Sequence, residues 1–304
     1  MPNRNKDIKG RNLPSLVYEF INWKAITASK NTILAYQGAL EGYSNFCYER
    51  KLDPLANQTV NSWVAHLRVS NKTKRRKGCT INYYVGRLSA FFEWGINMDY
   101  FIKNPTKLTP KLPPELAHVR GFTKDEVKKL LVSAGKDETR TYWPPMIMLG
   151  HHYGMRIQDC AEFSATCVDW SRNKFTFTPQ KQSRKEIELP LHSDVADALK
   201  SVTPGEQYYF PLAVKRYYSN SVTSEFKALV NDAGLDSKLT FHCLRHGAAT
   251  NMIAAGINLP TIVEIIGWTS TAMLQRYIDR DENEIAKLTL GGSVTSPLPQ
   301  CTAP

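Results

Sequence analysis

The sequence of 304 residues has no apolar run approaching the roughly 20 residues that span a bilayer, so no membrane partner is expected. Its opening stretch, MPNRNKDIKGRN, is polar and charged, so no secretory leader is expected either. Six cysteines, at 47, 79, 160, 167, 243 and 301, form no CxxC pair and no metal-like spacing with histidine. They read as small core residues of a protein kept in a reducing, intracellular compartment. His151 and His152 are adjacent and so face differently, which argues against a metal pair. There is no internal repeat and no evident carboxylate cluster of the kind that holds two metal ions.

What is present is charge, and it is unevenly placed. Residues 1–118 hold 18 Lys+Arg against 8 Asp+Glu, a net of +10, while residues 119–304 hold 21 against 20, a net of +1. The two parts sum to the formal +11 of the whole chain. A basic excess confined to one part fits a polyanion partner, held by phosphate contacts and counterion release; a merely soluble basic domain is the alternative. The sharpest concentration is Asn71-Lys72-Thr-Lys74-Arg75-Arg76-Lys77-Gly78, five basic residues in the seven positions 71–77. It reads as a solvated loop or as a DNA-backbone contact that leads into a helix carrying Arg87.

Length and periodicity give two domains. In the first, apolar residues recur at helical spacing around 14–27, 30–50 and 79–98, with Ser29 opening the second helix. Residues 104–120, with Pro105, Pro110, Pro113 and Pro114, have the composition of a linker. Thr123 as N-cap and Glu126 three positions on make a capping box that starts the second domain. That domain combines a helix over 145–153 with three strand-like segments, beginning near Cys167, Lys174 and Lys185. Helices are expected over 194–201, 221–233, 241–255, 260–267 and 270–278. The fold class is therefore mostly α with a small antiparallel β-sheet. The expected divisions are a helical domain over 12–103, the linker 104–120, a second domain over 121–290 and a disordered tail over 291–304.

Individually, the chemically suggestive residues are ordinary. His242 and Arg245, three apart, share one face of a helix capped by Thr240, as many structural His–Arg pairs do. Tyr277 lies between Arg276 and Asp279-Arg280, near the end of a helix capped by Ser270. Their order carries more. Tyr153-Gly-Met-Arg156-Ile-Gln-Asp159, then His242-Cys-Leu-Arg245-His246-Gly-Ala-Ala-Thr with Gly256, then Gly267-Trp268-Thr-Ser and Tyr277, resemble the successive boxes of the tyrosine recombinases, the phage-integrase family. Ser29-Lys-Asn-Thr with Tyr36, and Thr80 through Arg87 to Asn104-Pro105, resemble that family's helical core-binding domain. The resemblance covers roughly residues 12–290.

The resemblance implies a site-specific recombinase that breaks and rejoins DNA through a 3′-phosphotyrosine bond, for integration, excision or resolution. It implies Arg156, Lys181, His242, Arg245, Trp268 and Tyr277 as catalytic residues. DNA binding would fall to Lys72, Lys74, Arg75, Arg76, Lys77 and Arg87. No metal or other cofactor is implied, since the phosphotyrosine bond conserves the energy for rejoining. The partners would be double-stranded recombination sites and a homotetramer on two of them. Such a protein would be cytoplasmic and nucleoid-associated, or nuclear in a eukaryotic host.

Phosphate chemistry agrees with these assignments. A free tyrosine, with a pKa of about 10, is a weak nucleophile at neutral pH and needs help to lose its proton. Guanidinium forks match the non-bridging oxygens. His242 would assist the tyrosine proton or donate to a phosphate oxygen. Trp268 stands where many relatives carry His, and its indole N–H donates without shuttling a proton. Lys181 best matches the family's general acid, with Arg184 and Lys185 as rivals in the same turn, and a plain basic turn as the other reading. Asp159, one turn beyond Arg156, would orient it. His246 would support the helix. A type IB topoisomerase, a hairpin telomere resolvase or a catalytically silent DNA-binding protein on the same scaffold are the alternatives. A metal-dependent transposase would need carboxylates that the pattern lacks.

Overall fold

Local rules set the element ends, and burial of aromatic rings sets how the elements meet. The computed structural model describes residues 12–69, 76–113, 120–179 and 186–268, and the chain divides into two units, 1–117 and 118–304.

The first unit is helical: α1 (Leu13–Ala25), α2 (Lys30–Arg50), α3 (Asn57–Val69) and α4 (Gly78–Asn97). The Asn12 side chain caps α1 by accepting the Ser15 N–H at 2.9 Å, and Ser29 caps α2 through the Thr32 N–H. Leu16, Phe20, Leu40, Tyr43, Leu88, Phe91 and Phe92 are all buried in the core between these helices. The Phe20 ring meets Phe91 edge-on at 5.5 Å between centroids, a favoured aromatic geometry.

Helix α3 is absent from the three helices expected here. Its face is Val60, Trp63, Val64 and Leu67, all buried, with Trp63 edge-on to Tyr43 at 5.1 Å. That is an i, i+3, i+4, i+7 stripe. Truncating a buried Trp costs about 3–5 kcal/mol, so tertiary packing suffices to hold a helix with so polar an outer face.

The proline-bearing stretch after α4 is tied down over its first part. Buried Asn104 donates to Ser89 O, Ser89 Oγ and Glu93 Oε1, and Thr106 donates twice to Asn104 Oδ1. Asn82 and Leu112 exchange two hydrogen bonds, at 2.8 and 2.9 Å. Residues 104–113 are thus strapped along α4, and residues 114–119 lie outside the described residues.

The second unit opens with α5 (Lys124–Ala134), where Thr123 and Glu126 form the expected capping box. Arg120 grips the same carboxylate with two bonds of 2.7 and 2.6 Å, holding Glu126 down at a pKa of about 2. Then come α6 (Trp143–Tyr153), α7 (Ile157–Ala161) and strands β1 (Val168–Asp169), β2 (Lys174–Phe177) and β3 (Ile187–Pro190). The strands pair antiparallel in the order β1-β2-β3, with Phe175 opposite Leu189 on the buried side. After them follow α8 (Ser193–Lys200), α9 (Pro211–Tyr218), α10 (Val222–Asp232), α11 (Phe241–Ala254) and α12 (Leu259–Ile266). The fold is mostly helical with a small antiparallel sheet, as expected. The short α7 and α9 are additions to the sequence reading, and the helix expected over 270–278 lies outside the described residues. No described helix is long and apolar enough to cross a membrane.

Helices α6 and α11 are the centre of this unit. Trp143 of α6 is fully buried, against Phe226 of α10 at 5.5 Å, which in turn meets Phe241 of α11 at 5.2 Å. One contact is backbone on backbone: a Cβ at Gly121 would stand 2.6 Å from Gly247 Cα. Only glycine at 121 lets the chain entering α5 lie against α11.

Candidate active site

The site is assembled from the turn after α6, the start of α11 and the loop after α12. Thr240 caps α11, with its N–H donating to Cys243 Sγ at 3.2 Å, and the helix then presents His242 and Arg245 one turn apart. At the other two places the chain reverses through left-handed glycines: Gly154 (φ 64°) ends α6 and Gly267 (φ 71°) ends α12. At Gly154 the space is closed as well, because a Cβ would lie 3.3 Å from both Arg245 Cγ and Ile266 Cγ1.

The carbonyls exposed by these turns hold the arginines. Arg245, 2% exposed, donates from Nη1 to Gly154 O at 2.6 Å and from Nη2 to Gly267 O at 3.3 Å. Arg156 donates from Nη2 to the same Gly267 O at 3.2 Å. Its Nη1 is buried without a hydrogen bond and stands 3.6 Å from Asp159 Oδ2, the residue expected to orient it. The Trp268 ring lies 5.4 Å from the Arg245 guanidinium carbon. Arg156, Arg245 and Trp268 are therefore brought together around one carbonyl.

His242 belongs to the same cluster electrostatically. Burial first, and then the nearby charges of Arg245 and Arg156, push its pKa below the ordinary histidine value. Its imidazole is thus neutral at physiological pH, able to accept a proton beside two fixed cations. The His246 ring stands perpendicular to it at 4.8 Å between centroids.

Lys181 and Tyr277 lie outside the described residues, as do Lys72, Lys74 and Arg75. In the first unit, Arg76 places its guanidinium over Tyr84 at 5.3 Å, and Lys77 is the N-cap position of α4. Arg87 holds its guanidinium carbon over the Tyr83 ring, 3.0 Å from the centroid, and 5.2 Å from that of Tyr36. Stacking stiffens a guanidinium while leaving its edge free to bind phosphate. The two glycine carbonyls are the functional groups that motif reading overlooked. The left-handed turns at Gly154 and Gly267 were signalled by glycine after each helix, but not the sharing of one oxygen.

Three histidines of this unit share one sign of pH linkage. His151, His152 and His242 all have lowered pKa values, burial being the largest cause in each, with His152 down to about 4. The unfolded chain then takes up protons first, so stability is fully present above about pH 6.5 and lost as pH falls towards 4. For His152 alone the loss is about 2 kcal/mol by pH 5. Urea midpoints of wild type and His152→Gln at pH 7.5 and 5.0, in EDTA, should show a smaller drop in the variant; an equal drop would refute the assignment to His152.

Residues 120–284, more than half of the chain, match the phage integrase family. The chain is 27% identical over 266 residues to tyrosine recombinase XerC of Roseiflexus castenholzii, covering 82% of this chain and 83% of that one. It is 22% identical over 291 residues to XerD of Staphylococcus epidermidis, covering 90% and 97%. Its fold matches the Tn1549 transposon integrase in complex with transposon right-end DNA (TM-score 0.72, 16% identity, 91% and 99% coverage). It also matches a lambda integrase dimer bound to a core site (TM-score 0.69, 17% identity, 86% and 96%). The chain belongs to the phage integrase family of tyrosine recombinases.

Proposed function

We propose that this chain is a site-specific DNA recombinase, breaking and rejoining strands through a 3′-phosphotyrosine bond, with Arg156 and Arg245 as its phosphate clamp. The observation that carries the reading is the pair of guanidinia hung on Gly267 O beside neutral His242. A pentavalent phosphate gathers negative charge on its non-bridging oxygens as it forms. Two cations fixed in advance, one of them almost fully buried, stabilise that charge without reorganising. Tyr277 would attack phosphorus, and neutral His242 would take its proton or hold a phosphate oxygen. Lys181, between β2 and β3 in sequence, would protonate the leaving 5′ oxygen. Trp268 would pack the clamp and donate its indole N–H.

The relatives named above are recombinases and integrases, which favours recombination over relaxation of supercoils. Double-stranded recombination sites would be the partner, with Lys72, Lys74, Arg75, Arg76, Lys77 and the stacked Arg87 on the backbone. Coordinated exchange between two sites would take four protomers.

The test is trapping. Nicked suicide duplexes carrying candidate inverted-repeat sites from around the gene, incubated with the chain in EDTA, should yield a denaturation-resistant protein–DNA species. Its absence on every candidate site would overturn the reading.

A further inference from the structure

Away from the arginines, three potential metal ligands converge where α6 ends and α8 begins. His152 of α6, His192 at the N-cap of α8 and Asp194 in its first turn bring one ligand atom each within 4.8 Å of one another. The two imidazoles lie face to face, with centroids 4.0 Å apart. The carboxylate sits against both, Oδ2 at 3.7 Å from His152 Nε2 and Oδ1 at 3.9 Å from His192 Nδ1. These separations are too long for hydrogen bonds. They are close to the roughly 3.4 Å between ligands that share a tetrahedral cation with bonds of about 2.1 Å.

A second observation points the same way. His152 Nε2 is buried and has no hydrogen-bond partner, an uncommon state for a buried polar atom. Asp194 and His192 are exposed, which opens the cluster to solvent.

We propose that His152, His192 and Asp194 form a binding site for a divalent transition metal of the Zn2+ type. Two imidazoles and one carboxylate select such an ion over Mg2+ or Ca2+, and water would complete the coordination. His192 Nδ1 now accepts the Asp194 N–H at 3.2 Å, and binding through that nitrogen exchanges this cap bond for the metal. The site adjoins the arginine turn. Tyr153, next to His152, donates from its hydroxyl to Pro190 O at 2.8 Å and accepts the His192 N–H at 2.7 Å. A bound ion would therefore clamp the β3–α8 connection to the end of α6, from which Gly154 and Arg156 follow.

Binding is read without DNA, so the outcome does not depend on the recombinase reading. Untagged full-length chain, stripped with EDTA and titrated with ZnSO4 by calorimetry, should take up one equivalent. Co2+ should add the visible bands of a low-coordinate N/O site. His192→Ala and Asp194→Asn, both at exposed positions, should each weaken Zn2+ by at least about tenfold while staying folded, His192→Ala with the slightly lower melting point of a lost helix cap. His151→Gln, adjacent but outside the cluster, should bind as wild type. The proposal is overturned if wild type takes up no Zn2+, if neither cluster variant weakens it, or if His151→Gln weakens it as much.

Discussion

Tyr277→Phe is expected to eliminate the covalent protein–DNA species while leaving DNA binding almost unchanged. The phenol oxygen is the only atom lost, and it is the atom that would bond to phosphorus. Losing one hydrogen-bonding group changes DNA affinity by no more than about fivefold. Losing the nucleophile removes the reaction path, and rates should fall by at least about 10⁴-fold. Gel shift on an intact site and trapping on a nicked one separate the two effects. An adduct that persists in Tyr277→Phe would show that another residue attacks, and the assignment would fail.

The next largest effect is expected at Arg245. Lysine there keeps the charge but not the fork, so Gly154 O and Gly267 O can no longer both be engaged while a phosphate is held. Single-turnover cleavage by Arg245→Lys should slow by about 10²–10³-fold, the scale of one lost oxyanion donor. Arg245→Ala removes the side chain from a site only 2% exposed and strands the Gly154 carbonyl. It should lower unfolding free energy by about 3–5 kcal/mol as well as abolishing cleavage. Urea unfolding measured alongside cleavage distinguishes the variants. An Arg245→Lys enzyme cutting at the wild-type rate would exclude the arginine from the clamp.

How much of this was legible beforehand depended on the reach of each interaction. The Thr123–Glu126 box is complete within four residues, so its sequence suffices to place it. The His242–Arg245 face follows from helical spacing alone, and the order of the arginine, histidine and tryptophan boxes located the rest of the cluster. Helix α3 was missed because its four buried apolar residues are diluted by polar ones, and what holds it includes Tyr43 on another helix. The stretch around Asn104 read as linker because prolines dominate its composition. Its attachment depends on one asparagine reaching back to Ser89 and Glu93. The pairing of His152 with His192 could not be read from spacing at all. Adjacent His151 drew attention instead, and the true neighbour lies across a sheet connection.

The Gly267 carbonyl, finally, couples the two arginines to each other. Both guanidinia donate to one oxygen, at 3.2 and 3.3 Å, and Arg245 is held more closely still by Gly154 O at 2.6 Å. Gly267 O thus links the two guanidinia, while Gly154 O ties Arg245 to the turn from which Arg156 follows. A phosphate held between them would sense their interval more than their absolute position, because it can shift bodily with the DNA. The spacing of the proposed clamp would thus be set by two glycine turns, at Gly154 and Gly267.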